Sequence, residues 1–229
     1  MTLPAGTRTQ LAELLRGARV ILLDFDGPVA HLFAGHPASD IADAVRQFAA
    51  VHGGDLSEIR GDDPLVLLRA AYRHSPEFGR DVEAHVIEHE TRAAAVAAPT
   101  PGAHNLIRAA AASGRAVLVV SNNSERAIRT YLARHGLTDQ VAHIIGRPFG
   151  HPEHMKPDPE LLRTALDIAR AAPADTVFVG DSITDAIAGT AAGVPCIGYA
   201  KQPDRAEGLA DADALVVVDD MHTLATTLR

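Results

Sequence analysis

Val20-Ile21-Leu22-Leu23-Asp24-Phe25-Asp26-Gly27-Pro28-Val29 is the stretch on which the fold turns. Four consecutive apolar residues end abruptly in two carboxylates and a glycine. A continuous apolar run, unlike an alternating one, describes a strand buried on both faces, the condition of a parallel sheet covered by helices. The pattern recurs in short runs at 116–120, 143–145, 176–179, 196–199 and 215–218, each leaving an interval for a helix or loop before the next. This alternation makes the chain α/β.

Helical patterns with legible ends lie between the later runs, at 102–113, 124–135, 159–172 and 182–192. Gly114, Gly136 and Gly193 close three of them, as glycine does at a left-handed helix end. Ser124 suits an N-cap, as does either Asp181 or Ser182. Residues 31–98 break the alternation, with no strand-like run and helical patterns at 41–51, 64–73 and 76–97. The expected architecture is a Rossmann-like parallel sheet with helices on both faces, formed by 1–30 and 99–229, carrying an all-helical cap at 31–98. Open parallel sheets bind ligands at the carboxyl ends of their strands, so the cap is expected to cover those ends.

A length of 229 residues is enough for one large domain with such an insertion. The formal net charge of −8 argues against nucleic acid or an anionic membrane as partner, since both require a basic face. A single cysteine, Cys196, makes neither an internal disulfide nor a thiolate metal site, and no run has the length of a membrane span or the form of a signal peptide. The expected location is cytoplasmic. Of 21 basic residues, only Lys156 and Lys201 are lysines, and an anionic ligand must be attracted locally.

The residues with chemical potential follow the runs. Asp24 and Asp26, spaced i, i+2 in a glycine-containing turn, address one crevice. Such a pair grips a hard divalent cation, divides nucleophilic and acid–base roles, or simply bonds a turn. Ser121-Asn122-Asn123 brings a hydroxyl, amides and free backbone N–H groups to a helix N-terminus, which suits an anion as well as a cap. Lys156 stands in Met155-Lys156-Pro157-Asp158-Pro159, and Gly180-Asp181-Ser182-Ile183-Thr184-Asp185 adds two carboxylates at another strand end.

Together these segments resemble the four motifs of the haloacid dehalogenase superfamily, in order and at the matching strand ends, across residues 18–218. The helical insertion resembles the small helical cap of the phosphoglycolate phosphatase and β-phosphoglucomutase-like branch. The resemblance implies a phosphatase acting on a small phosphorylated metabolite. It makes Asp24 the nucleophile that becomes an aspartyl phosphate and Asp26 the acid that protonates the leaving oxygen and then activates water. It implies Mg²⁺ held by Asp24, the backbone carbonyl of Asp26 and Asp181, with Asp185 assisting or anchoring Lys156. Ser121, the backbone N–H of Asn122 and Lys156 would cradle the phosphoryl oxygens. Pro28 departs from the usual Thr or Val and removes a backbone N–H, without loss of a catalytic side chain.

Rival readings remain. A carbon–halogen hydrolase lacks the second aspartate, so Asp26 argues against it. A phosphomutase shares the core residues, and an idle member would only bind. His85-Val86-Ile87-Glu88-His89 fits the H-x-x-E-H pattern of inverted zinc peptidases, with His85 and His89 on one helical face and Glu88 beside them. Twelve histidines make such spacing common by chance. His151 and His154 read as loop residues. The cap residues His31, His36, Arg60, Arg69, Arg73 and His74 are candidates for substrate choice, and nothing in the sequence selects between monomer and homodimer.

Overall fold

In the computed structural model, which describes residues 4–228, the first strand, β1 (Val20–Leu23), is buried on both sides. Ile21 and Leu23 enter one core and Val20 and Leu22 another, which is what period-two side-chain alternation does to an unbroken apolar run. Five strands join it in the order β5-β4-β1-β6-β7-β8, all parallel. They are β4 (Ala116–Val120), β5 (His143–Ile145), β6 (Thr176–Gly180), β7 (Cys196–Tyr199) and β8 (Val216–Val218).

One face of the sheet is covered by α1 (Ala5–Gly17), α5 (Ala103–Ala112), α6 (Glu125–Arg134) and α10 (Met221–Thr227), which contribute Leu15, Ile107, Ile128 and Leu224 to that core. The other is covered by α7 (Glu160–Ala169), α8 (Ile183–Ala192) and α9 (Arg205–Asp211), through Leu162, Ala186 and Leu209. The N-caps fall where local chemistry predicts: Ser124 accepts from the Ala127 N–H at 3.4 Å, and Ser182 with Asp185 forms a reciprocal capping box.

Between residues 31 and 98 the chain forms α2 (Ala38–Val51), α3 (Pro64–His74) and α4 (Pro76–Val96), which enclose a third core of Ile41, Val45, Leu68, Phe78, Val82 and Val86. Prolines at the first helical positions, after Asp63 and Ser75 as N-caps, start α3 and α4. The insertion leaves and returns through a two-stranded antiparallel ribbon, β2 (Ala30–His31) and β3 (Ala98–Pro99). The last turns of α4 leave the third core: Ala93 and Ala94 belong to the sheet's own core, against α6.

The structure adjusts the expected boundaries. Leu215 is half exposed and β8 pairs from Val216. Helix α7 stops at Ala169 because Arg170 takes a left-handed φ of 49°. The ribbon and helices α1, α9 and α10 were not anticipated.

His104 in α5 packs on Tyr131 of α6, its Nε2 2.8 Å from the phenol oxygen. Burial, with the fields of His135 and Arg108, pushes its pKa down to about 4. Between about pH 6.5 and 4 an unfolded chain binds a proton here that the folded chain refuses, so stability falls on acidification across that window. His104→Gln is expected to make the fall of the urea midpoint over this range shallower. An unchanged slope would show that His104 does not contribute.

Candidate active site

The strand order sets β1 between β4 and β6, where the direction of sheet building reverses and a crevice opens at the carboxyl ends. The residues that follow these three strands, Asp24, Ser121 and Asp181, become neighbours in a cavity of about 480 Å³. The turn after β1 folds tightly, with the N–H groups of Val29 and Ala30 donating to the Phe25 carbonyl and that of Gly27 to Ala30. Position 28 is passed over by these bonds, so proline costs the turn no donor.

Lys156, nearly inaccessible at 3% exposure, enters from the loop after β5. Its Nζ donates to Asp24 Oδ1 at 2.7 Å and to the Val120 carbonyl at 3.2 Å, and lies 2.5 Å from Asp185 Oδ1. Burial pulls the ammonium toward the neutral form, but Asp185 and Asp24 outweigh it and hold its pKa above the ordinary lysine value. Asn122 fixes the backbone beneath, accepting from the Lys156 N–H at 2.8 Å and donating to its carbonyl at 3.1 Å. Among the described residues no protein group accepts from the Asn122 N–H. Ser121 is buried and donates to Asn123 Oδ1 at 3.1 Å.

The four carboxylates occupy different situations. Burial pushes Asp24 up to about 6, against the pull of Lys156. Burial also pushes Asp26 up to about 6, opposed by the Leu32 N–H that its Oδ1 accepts at 2.9 Å. Asp185 has both oxygens engaged, Oδ1 facing Lys156 and Oδ2 accepting from the Asp181 N–H, the Ser182 N–H and the Ser182 hydroxyl. The Asp181 carboxylate has no protein donor among the described residues. Its pKa is pushed up to about 8 by burial and by the charges of Asp24, Asp185 and Asp26.

That set fits a hard divalent cation. Oxygens of Asp24, Asp181 and Asp185 lie within 4.8 Å of one another, with the Asp181 carboxylate free of protein hydrogen bonds among the described residues and no nitrogen or sulfur donor in the group. Gly27 makes the approach of Asp181 possible. Its φ of +107° is left-handed, and a Cβ there would stand 2.2 Å from Asp181 Oδ2.

The remaining sequence candidates are placed as follows. Arg69 donates to the Lys156 carbonyl at 3.3 Å, His36 Nε2 pairs with His89 Nδ1 at 3.0 Å, and His31 Nδ1 pairs with Lys201 Nζ at 3.1 Å. None of these lines the cavity, nor do Arg60, Arg73 or His74. His85, Glu88 and His89 do not converge as a zinc site would require. Among the described residues, three metal-type donors gather only at the aspartates and at the largely exposed His151, Glu153 and His154. His85 instead stacks on Phe48.

A buried ion cluster escaped the sequence reading. Arg147 Nε donates to Glu83 Oε1 at 2.8 Å, and its Nη1 to Glu90 Oε1 at 2.9 Å and the Asn122 carbonyl at 2.7 Å. Glu90 also accepts the Ser124 N–H at 2.9 Å. The signal lay in two glutamates seven residues apart on the apolar face of α4, and an arginine one glycine beyond a strand, near where the site residues cluster. Arg147→Met strands two buried carboxylates and is expected to lower unfolding free energy by about 3–5 kcal/mol in urea titration. Gly27→Ala, strained and in collision with Asp181, is expected to cost about 1–3 kcal/mol by the same measurement.

Comparison with known proteins agrees with this geometry. Residues 18–193 match the family model for haloacid dehalogenase-like hydrolases. The chain is 36% identical over 132 residues to the phosphoglycolate phosphatase of Rhodospirillum rubrum, over 56% of this chain and 52% of that one. It is 26% identical over 224 residues to phosphoglycolate phosphatase 1 of Pseudomonas aeruginosa, over 90% of this chain and 78% of that one. The chain spans about half the length of the Rhodospirillum rubrum relative and of a probable phosphoglycolate phosphatase from Pseudomonas putida. Among solved structures, a mutant of CbbY from Rhodobacter sphaeroides in complex with xylulose-(1,5)-bisphosphate superposes with a TM-score of 0.68 at 22% identity, over 90% of this chain and 95% of that one. With a family model spanning most of its length and the motif residues gathered at three adjacent strand ends, the chain belongs to the haloacid dehalogenase-like hydrolases.

Proposed function

We propose that this chain is a Mg²⁺-dependent phosphatase that hydrolyses a small phosphorylated metabolite through an aspartyl phosphate on Asp24. Residues 1–30 and 99–229 are read as the catalytic core and 31–98 as the cap. The observation that carries the reading is the convergence of Asp24, Asp181 and an ion-paired Lys156 at neighbouring strand ends. The phosphatase names of the relatives support it.

Asp24 is the nucleophile: a carboxylate oxygen bonds to phosphorus in line with the departing alcohol oxygen as the phosphorus–oxygen ester bond breaks. Asp26 gives its proton to that oxygen, then takes one from the water that attacks phosphorus and releases Asp24. A carboxyl pushed up to about 6 is better matched to this exchange than an ordinary aspartate. Ser121, the Asn122 N–H and Lys156 hold the phosphoryl oxygens while their charge redistributes. Asp185, with both oxygens committed, anchors Lys156 and caps α8. Asp24, Asp181 and the backbone carbonyl of Asp26 would hold Mg²⁺, which would neutralise phosphoryl charge and lower the repulsion met by an attacking carboxylate.

Inorganic phosphate release from p-nitrophenyl phosphate tests the reading. Activity is expected to require added Mg²⁺ and to vanish in excess EDTA. Asp24→Asn is expected to lower turnover by about 10³-fold or more with an unchanged circular dichroism spectrum. Phosphate release that survives Asp24→Asn would exclude the covalent route, and transfer between sugar positions without release would identify a mutase.

A further inference from the structure

The catalytic reading leaves the alcohol half of the substrate open, and the charge of the cavity wall bears on it. On the insertion side the wall consists of Phe33, Ala38, Pro64 and Leu65 together with Asp62, Asp63 and Glu90. Arg147 compensates Glu90 through bonds of 2.9 and 3.3 Å. No such partner lies in the wall for Asp62 or Asp63. Asp63 accepts the Leu65 N–H at 2.8 Å as the N-cap of α3, and both residues are exposed.

The arginines near this wall stay outside its lining: Arg46 donates to the Gly61 carbonyl, next to Asp62, and pairs with Asp43 at 3.0 Å. Arg69 feels the field of Asp63, but its guanidinium donates to the Lys156 carbonyl and does not line the cavity. Lys201 pairs with His31. Among the described residues Lys156 is the one basic side chain in the lining, and it is ion-paired with Asp24 and Asp185. In a chain with 19 arginines, no described arginine reaches this cavity.

We infer that the substrate is a phosphate monoester whose alcohol half carries no negative charge, an amino alcohol or a neutral polyol, and that Asp62 and Asp63 select for it. This rests on the phosphatase reading of the same site. A carboxylate or second phosphate on the alcohol would lie on the side of the cavity that these two aspartates line, where no basic side chain among the described residues contributes to the wall. An ammonium meets complementary charge there, and hydroxyls meet acceptors. The chain thereby parts from the ligands named for its relatives, since phosphoglycolate and xylulose bisphosphate each carry a second anion.

The test compares kcat/KM of the full chain with Mg²⁺ for O-phosphoethanolamine, glycerol 3-phosphate and 2-phosphoglycolate, with p-nitrophenyl phosphate as reference. The first two are expected to exceed 2-phosphoglycolate by about tenfold or more, the scale of one uncompensated charge contact at partial solvation. In the double variant Asp62→Asn, Asp63→Asn the preference is expected to shrink to about threefold or less, since asparagine caps α3 as aspartate does while the charge is gone. A ratio taken within one preparation does not depend on the folded fraction. Hydrolysis that favours 2-phosphoglycolate, or a preference unmoved in the double variant, overturns this inference alone. Hydrolysis of none of the four esters overturns the phosphatase reading and this inference with it.

Discussion

One buried ammonium holds the site together. Four aspartates converge on the crevice, and at the distances seen their mutual repulsion would drive them apart or protonate them. Lys156 answers two of them directly, at 2.7 and 2.5 Å. Its position is enforced from both ends: Asn122 grips its backbone and the Val120 carbonyl receives its Nζ. An arginine would not substitute, because its planar fork cannot place a point charge between two carboxylates and a carbonyl in a space this closed. Asp181 receives no hydrogen bond from a described protein group, and burial with the charges of Asp24, Asp185 and Asp26 outweighs the opposing field of Arg205.

A second ionic knot joins the insertion to the sheet. Buried ion pairs are weak evidence for stability in themselves, since desolvation offsets much of the attraction. Here the geometry matters more. Arg147 lies beyond β5, Glu83 and Glu90 lie on α4, and the Asn122 carbonyl and Ser124 N–H belong to the loop that offers Ser121 and the Asn122 N–H to the crevice. The loop that carries Ser121 and Asn122 is thus braced from the side of the insertion. The apolar contacts of Ala93 and Ala94 continue the brace into the main core.

Much of this was legible in the sequence, for a definite reason. Strands buried on both faces have to be apolar throughout, so each run announced itself, and Asp24, Ser121 and Asp181 each follow one directly. Where elements are two residues long, as in β2 and β3, no periodicity exists to be read. The Arg147 cluster leaves only a faint trace in the sequence because its members are 57 and 64 residues apart in pairs, and only the fold makes them adjacent. Residue type alone does not locate the cavity wall: the candidates for substrate choice, His31, His36, Arg60, Arg69, Arg73 and His74, do not line it, whereas Phe33, Leu65 and the acidic start of α3 do.

The ribbon of β2 and β3 couples two parts of the molecule that are otherwise described apart. Leu32, the first residue beyond β2, gives its N–H to Asp26, while Thr100, just after β3, gives its N–H to Val29 and its hydroxyl to the Gly27 carbonyl. Both roots of the insertion are therefore bolted to the turn that carries Asp26. A change in length or pitch at either root would be transmitted to the aim of one carboxyl group before it was felt in the sheet. The ribbon acts as a gear, and its tolerances are those of the role proposed for Asp26.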